Sequence, residues 1–191
     1  MTRRYDNSRR AQQAAQTQED ILAATERLLA RSLLDDITLE AIAREAGTTV
    51  QTVLRHMESR DGCFSAVARE VAARVREQRG NAAYDSIEAA IADLTDHYEA
   101  EGRLILNLLA QERDGNAFVA EMMRKGRAFH RRWVRRCFAR DISRGDTAEI
   151  DALVVATDIY AWKLLRLDLG RSARATRRVM SDMVTRILEA A

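Results

Sequence analysis

The chain has 191 residues, with 31 lysines and arginines against 29 aspartates and glutamates, so its formal net charge is only +2. This balance excludes a histone-like polycation, and a hydrophobic content of 47% excludes a mainly disordered chain. The sequence has no proline and only 8 glycines, so it lacks the usual breakers of helices. We therefore predict an all-α protein of about nine helices.

A membrane span is not expected, because even the most apolar stretch, residues 153–169, contains charged residues. The two cysteines, Cys63 and Cys137, are far apart in sequence and no secretory leader precedes them. This pattern predicts a cytoplasmic protein in which both cysteines are small buried residues rather than reactive thiols.

The first residues are basic and polar. Residues 1–16 carry four arginines, show no apolar periodicity and predict a flexible basic arm. Thr17 then begins a sequence typical of a capping box, which predicts that the first helix starts there. The apolar face of that helix recurs at helical spacing and comprises Ile21, Leu22, Thr25, Leu28 and Leu29.

Two short helices follow, separated by a glycine. Thr38 is the predicted N-cap of the first, and Gly47 ends it because glycine adopts the left-handed conformation readily. Thr49 caps the second, whose apolar spacing comes from Val50, Val53, Leu54 and Met57. Ser59 is the predicted N-cap of a fourth helix. Residues 38–56 thus predict a helix-turn-helix, whose second helix lies in the major groove of DNA.

The turn-forming pair Gly80-Asn81 suggests a domain boundary. We predict a helix-turn-helix DNA-binding domain at residues 17–59, a connecting helix at 60–80 and a helical domain at 81–191. In the latter we expect helices near residues 84–101, 103–112, 117–140, 147–168 and 173–188, with the first break at Gly102.

Residues 17–68 resemble the N-terminal domain of the TetR (tetracycline repressor) family of transcriptional regulators. The resemblance rests on the run Ile37 to Ala43, on Ala46-Gly47, on Thr52, and on Ser59-Arg60-Asp61 followed by Phe64. Leu54 stands where the family usually has tyrosine, Met57 where it has phenylalanine, and Gln51 where glycine is frequent. The resemblance implies a homodimeric regulator, a repressor of a palindromic operator that a small-molecule effector releases, with residues 81–191 as the ligand-binding and dimerisation domain.

The candidate DNA contacts follow from chemistry. Helix N-termini direct free amides at anions, so the predicted phosphate contacts are Thr38, Thr49, His56 and Arg60. Glutamine suits adenine, arginine suits guanine and a valine methyl suits the thymine methyl. The predicted base contacts on the second helix are therefore Gln51, Arg55 and Val50, and Thr52, one of the residues that carry the resemblance, is a further predicted DNA contact. Each of these residues could instead be a solvated polar residue. Arg9 and Arg10 could enter the minor groove, follow phosphates or contact nothing.

The effector implied by the resemblance needs a cavity in the second domain. The candidate lining residues are large, mostly apolar and central in their helices, although ordinary core packing is the competing role for most of them: Leu104, Asn107, Leu108, Phe118, Met122, Phe129, Trp133 and Trp162. Asp158 lies alone in an apolar run, where it could pair with a cationic ligand or with an arginine of a second copy.

The last two predicted helices carry apolar stripes wider than one core contact requires, which indicates a homodimer through these helices. Asp93, His97 and Glu101 share a helix face, and we interpret them as a solvated polar stripe rather than a metal site. The basic run after His130, interleaved with Trp133 and Val134, is interpreted as a solvated face beside a core face.

No enzyme signature is present, and we expect no metal and no cofactor. A competing hypothesis is a helical bundle that binds or converts a small molecule without binding DNA. Salt dependence of DNA affinity distinguishes the two functions.

Overall fold

The computed structural model describes residues 2–80, 83–112, 116–138 and 147–190, with the side chains of residues 2–8 and 10 outside the description. These residues form helices and turns and contain no strand, so the all-α prediction is confirmed for the part described. The chain divides between Ala72 and Ala73 into two compact units. None of the described helices is long and apolar enough to span a bilayer.

The first unit contains α1 (Thr2–Leu29), a 3₁₀ turn (Leu34–Asp36), α2 (Leu39–Glu45), α3 (Val50–Met57) and the start of α4 (Arg60–Arg79). Its core comes from every one of these elements. The buried apolar side chains are Ile21, Ala24, Leu28, Leu29, Leu34, Ile37, Ile42, Ala43, Val53, Met57, Cys63, Phe64 and Val67. The unit therefore has enough buried surface to support the two-turn helix α3, which could not persist alone.

The predicted start of α1 was wrong. The helix begins at Thr2, and the Thr17 hydroxyl donates to the carbonyl oxygen of Gln13 at 2.8 Å instead of capping a new helix. Residues 2–16, predicted as a flexible arm, are helical. The physical reason is that no proline or glycine interrupts this stretch, so helix propensity carries the helix toward the amino terminus.

The second unit contains the end of α4, then α5 (Ile87–Ala110), α6 (Ala117–Phe138), α7 (Thr147–Ala156), α8 (Ile159–Lys163), a π-helical turn (Leu164–Asp168) and α9 (Ala173–Glu189). Its core cluster draws on α5 to α9. The largest buried members include Leu94, Tyr98, Trp133, Phe138, Leu153, Trp162 and Met180.

The helix break predicted at Gly102 is absent, because α5 continues through it. A β-carbon on Gly102 would lie 2.7 Å from two ring carbons of Trp162 on α8. The missing side chain therefore makes room for the Trp162 ring, whose indole nitrogen donates to Glu99 Oε1 at 3.1 Å. Close packing, not chain reversal, explains this glycine.

The predicted single helix over residues 147–168 is interrupted after α7. Thr157 turns its hydroxyl back to the Leu153 carbonyl at 2.6 Å, and the Asp158 carboxylate accepts from the Tyr160 amide at 2.9 Å as the N-cap of α8. Burial raises the pKa of this carboxyl group. Asp158 therefore has a local structural role that its isolation in an apolar run did not reveal.

The face of α5 predicted as a solvated stripe is partly buried. His97 and Glu101 are both buried, and Glu101 accepts from the Arg74 guanidinium at 2.8 Å. Asp93 accepts from Gln78 at 2.6 Å and also from the Tyr84 hydroxyl. The described residues contain no cluster that could hold a metal ion. The solvated-stripe interpretation was wrong, because His97 and Glu101 are buried and two side chains of α4, Arg74 and Gln78, bind Glu101 and Asp93.

Substituting Gly102→Ala should lower the free energy of unfolding by about 1–2 kcal/mol, since the added methyl group overpacks the Trp162 ring by more than the gain in helix propensity offsets. Gly126→Ala is the matched control. It places a methyl group in open space on α6 and should raise stability by about 0.5–1 kcal/mol. Urea denaturation followed by circular dichroism measures both, and equal effects would contradict the packing role of Gly102.

The two buried histidines of the second unit predict a loss of stability in mild acid. Burial, reinforced by the positive charge of Arg79, lowers the pKa of His97 to about 3 and that of His130 to about 4. An unfolded chain binds these protons near pH 6.5, so it holds more protons than the folded protein below that pH. Unfolding free energy should therefore fall by about 2 kcal/mol per histidine between about pH 6.5 and about pH 5.

Denaturation over this pH range measures the loss. The variants His97→Phe and His130→Gln should each flatten the profile. A profile that is flat in the unsubstituted protein would contradict the assignment of both histidines as buried and neutral.

Candidate nucleic-acid interface

The start of α2 is fixed by Thr38. Its backbone is extended and its hydroxyl oxygen accepts from the Ala41 amide at 3.1 Å, as an N-cap does. Glu40 lies in the same first turn, where hydrogen bonds to its own backbone and to the Thr38 side chain lower the pKa of its carboxyl group. The predicted cap at Thr38 is thus confirmed.

Gly47 ends α2 as predicted, with a φ of +65° in the left-handed region. The Thr48 amide donates to the Ala43 carbonyl at 2.9 Å and the Gly47 amide donates to Arg44 at 3.2 Å. Together these bonds form the Schellman motif, which satisfies the last carbonyls of a helix and reverses the chain. The reversal brings the start of α3 within four residues of the end of α2.

Thr49 is the N-cap of α3, again as predicted. Its hydroxyl oxygen accepts from the Thr52 amide at 3.2 Å, and the two threonine hydroxyl oxygens lie 3.0 Å apart. The Thr52 hydroxyl is therefore already hydrogen-bonded within the cap. Ser59 repeats the arrangement at the start of α4, where its hydroxyl oxygen accepts from the Gly62 amide at 3.0 Å.

The faces of α3 divide sharply. Val53 and Met57 are buried in the core of the first unit, whereas Gln51, Leu54 and Arg55 are exposed. We assigned Leu54 to the apolar spacing of the helix, but 39% of it is exposed, so that assignment was wrong. The spacing of positions 51, 54 and 55 places them on one helix face, and this periodicity could have identified Leu54 as a surface residue.

The other predicted contact residues lie at the margins of this face. Val50, Thr52 and His56 are half-buried. Arg60 is half-buried as well, with its guanidinium 5.5 Å from the centre of the Phe64 ring and 3.6 Å from Asp61 Oδ1. The Phe64 ring thus orients Arg60 at the start of α4.

An ion-pair cluster joins α1 to α2. Glu45 accepts from Arg27 Nε at 2.7 Å and from Arg31 Nη2 at 2.6 Å. These hydrogen bonds, that from Arg27 first, lower the pKa of the Glu45 carboxyl group. Exposed pairs of this kind add little stability but fix orientation, here that of the helix preceding α3. No local sequence pattern predicts this cluster, because Arg27 and Glu45 are 18 residues apart and lie on either side of the loop between α1 and α2.

Of the four amino-terminal arginines, only Arg9 has a described side chain. Arg9 is exposed on α1, while the side chains of Arg3, Arg4 and Arg10 lie outside the described part of the structure. Contact between the arm and DNA therefore stays a prediction.

The residues predicted to line an effector cavity all belong to the second unit. Four of them are buried and four are half-buried: Leu104, Leu108, Trp133 and Trp162 in the first group, and Asn107, Phe118, Met122 and Phe129 in the second. Of the eight, Phe129 and Trp133 lie together at one open cleft. Trp162 packs instead against Tyr98 in the core, with ring centroids 5.9 Å apart.

Comparison with known proteins finds one family model and several solved structures that are similar to this chain. Residues 21–67 match the family model described as bacterial regulatory proteins, tetR family. The whole fold is similar to that of a transcriptional regulator from Rhodococcus sp. Rha1, with a TM-score of 0.72 and 16% identity, over 91% of this chain and 97% of that one. No curated protein sequence matches significantly.

A second solved structure, a proposed regulator of fatty acid metabolism from Clostridium perfringens, is similar with a TM-score of 0.67 and 16% identity. The match covers 90% of this chain and 98% of that one. At 16% identity the two structures show a shared fold only. The family-model match concerns residues 21–67, which lie within the first unit.

Proposed function

We propose that this chain, which belongs to the TetR family of bacterial transcriptional regulators, is a homodimeric repressor that binds a palindromic operator and leaves it when a small molecule binds. The family consists of DNA-binding regulators rather than enzymes. The observation that carries the proposal is the exposed face of α3, formed by Gln51, Leu54 and Arg55 and presented by a helix capped at its start and buried on its other face. Such a regulator acts in the cytoplasm, where bacterial DNA lies.

The chemistry of this face suits the major groove. The Gln51 amide can pair with adenine, and the Arg55 guanidinium can donate two hydrogen bonds to guanine. Leu54, which cannot donate a hydrogen bond, offers an apolar surface to the methyl group of thymine, and Val50 at the margin offers another. We therefore propose that α3 contacts both hydrogen-bonding groups of the bases and thymine methyl groups, and does not bind through phosphate contacts alone.

Phosphate contacts would hold the helix in register. The capped N-termini at Thr38, Thr49 and Ser59 each direct backbone amides outward, and Thr52, His56 and Arg60 lie beside them. Such contacts carry affinity and its salt dependence but little sequence preference.

The dimer is supported by apolar surface on the second unit. Its large exposed hydrophobic side chains all fall between residues 155 and 179 in the described sequence, and they are Val155, Tyr160, Leu164, Leu167, Leu169 and Val179. Apolar side chains concentrated in this way usually mark a protein interface, and a twofold interface uses the same patch on both copies. We therefore propose the segment from α7 to α9 as the dimer interface.

Two reading helices related by a twofold axis predict half-sites about one turn of DNA, roughly 34 Å, or a multiple of it, apart. Release by an effector requires only that the ligand favours a dimer state in which that spacing is lost. The coupling is then reciprocal, so DNA weakens ligand binding by the same factor.

Selection of bound duplexes from a random pool should return a palindrome, and the affinity for it should fall steeply as salt rises. Gln51→Ala and Arg55→Ala should each relax preference at one position per half-site, at a cost of about 1–3 kcal/mol there. Arg60→Ala should instead weaken all sequences alike and reduce the salt slope.

Arg124→Ala, an equal charge change on α6 of the second unit and outside the proposed dimer interface, serves as the control and should alter neither preference nor slope. If Gln51→Ala and Arg55→Ala both keep the unsubstituted preference, α3 does not read the bases. The absence of a salt slope would favour the competing function, a helical bundle that does not bind DNA.

Leu164→Glu should convert the dimer to a monomer, because a carboxylate would be buried in an apolar interface. Leu33→Glu is a matched control, since Leu33 of the first unit is 55% exposed and Leu164 is 53% exposed. Light scattering coupled to size exclusion measures the mass of each. A dimer that survives Leu164→Glu and also Val155→Glu would rule out this interface.

A further inference from the structure

A basic cleft lies in the second unit between the end of α4 and the last turns of α6. It is open to solvent and has a volume of about 660 Å³. The rings of Phe129 and Trp133 form its apolar wall. The rest of its lining is the backbone of Gly80 and four arginines, Arg76, Arg132, Arg135 and Arg136.

A fifth arginine lies buried behind the aromatic wall. Arg79 is 2% exposed, and its guanidinium carbon is 4.4 Å from the centre of the Trp133 ring and 5.6 Å from that of Phe129. One terminal nitrogen is 3.4 Å from His130 Nδ1, but Nε has no hydrogen-bond partner. Burial lowers the pKa of Arg79, yet a guanidinium remains charged at neutral pH.

These five arginines also lack a carboxylate partner within the described part of the chain. Asp93, the acidic group whose charge acts on Arg79, is already bound by Gln78 and Tyr84. Arg136 donates to the backbone oxygens of Arg79 and Gly80, which carry no full charge. The cleft therefore concentrates positive charge that nothing in the described structure neutralises.

Other arginines of α6 form ion pairs with acidic residues. Arg124 binds Glu121 at 2.8 Å, Arg127 binds Glu112 at 2.5 Å, and Arg131 binds Asp151. These three arginines lie outside the cleft and are matched to acids, whereas Arg132, Arg135 and Arg136 at the cleft form no ion pair with the described residues. A buried guanidinium with an unpaired Nε is costly, so the retention of Arg79 just behind the aromatic wall fits a cleft that receives an anion from outside the chain.

We propose that this cleft binds a small molecule carrying a carboxylate or a phosphate on an aromatic or similarly flat apolar body. Arginine forks bind both oxyanions through paired hydrogen bonds, and Arg132 and Arg135 at the exposed rim would make those bonds. The body of the ligand would lie against Phe129 and Trp133, and the buried charge of Arg79 would strengthen the field at the anion. The binding site itself does not depend on the proposed function. Only the role of its ligand as the effector rests on that proposal.

Isothermal titration calorimetry with four probes tests the site on the full chain. Phenyl phosphate and benzoate should bind, and whichever binds more tightly identifies the preferred oxyanion. Benzyl alcohol, which lacks the charge, and inorganic phosphate, which lacks the apolar body, should each bind at least about tenfold more weakly. Inorganic phosphate binding as tightly as phenyl phosphate would overturn the role of the aromatic wall.

Variants locate the binding. Arg132→Gln and Arg135→Gln should each weaken the tighter-binding probe by about tenfold, the loss expected for one charge-assisted contact. Arg124→Gln, on the same helix but outside the cleft, should have no effect. In a Trp162→Phe background, Trp133 is the only remaining tryptophan, and its fluorescence should change on binding.

Arg79→Met separates the buried charge from the fold. It should keep or raise the melting temperature, because an unpaired buried cation is removed, and should weaken binding at least about tenfold. If this variant does not fold, Arg132→Gln against Arg124→Gln still decides. No binding of either anion by the unsubstituted protein, or equal effects of Arg132→Gln and Arg124→Gln, would refute the site. Calorimetry measures ligand binding without DNA. If the protein binds these anions but no operator DNA, the proposed function is refuted and the ligand site is not.

Discussion

The geometry of the first unit depends on one short connection, the four residues between α2 and α3. Within them a helix must end, the chain must reverse, and a new helix must start with its amides hydrogen-bonded. Gly47 supplies the left-handed residue, and the two backbone bonds behind it satisfy the last carbonyls of α2. Thr49 then caps α3. Because both ends are fixed by local bonds, burial of Val53 and Met57 is enough to set which face of α3 reaches solvent.

The elements that sequence reasoning predicted correctly are those whose determinants are local. The caps at Thr38, Thr49 and Ser59 and the helix end at Gly47 each depend on residues within one turn, so a single sequence contains the whole signal. The helical class follows for the same reason from composition. The exposed positions of α3 were mostly recognised, although Leu54 was not, because hydrophobicity alone does not say which side of a two-turn helix is covered.

The missed features depend on residues far apart in sequence. Gly102 looked like a helix end until Trp162, sixty positions later, was found against it. His97 and Glu101 were interpreted as solvated because no neighbouring residue in the sequence indicates that they are buried. Glu101 binds Arg74 of α4, which is 27 positions earlier in the chain. The cleft beside Phe129 and Trp133 is likewise lined by residues of α4 and α6 that are far apart in sequence. Its two aromatic members were expected at a ligand site, but the arginines around them were interpreted as a solvated face only.

The π-helical turn after α8 has a consequence for how the second unit could change over evolution. Such a turn is equivalent to one extra residue inserted into an α-helix, and it shifts the angular position of everything that follows. Removing that residue would restore regular winding and rotate Leu167 and Leu169 by about 100° about the helix axis. A single-codon deletion here would therefore turn these two leucines toward a different side and exchange one self-association surface for another, while leaving in place the buried residues of α7, which precede the turn.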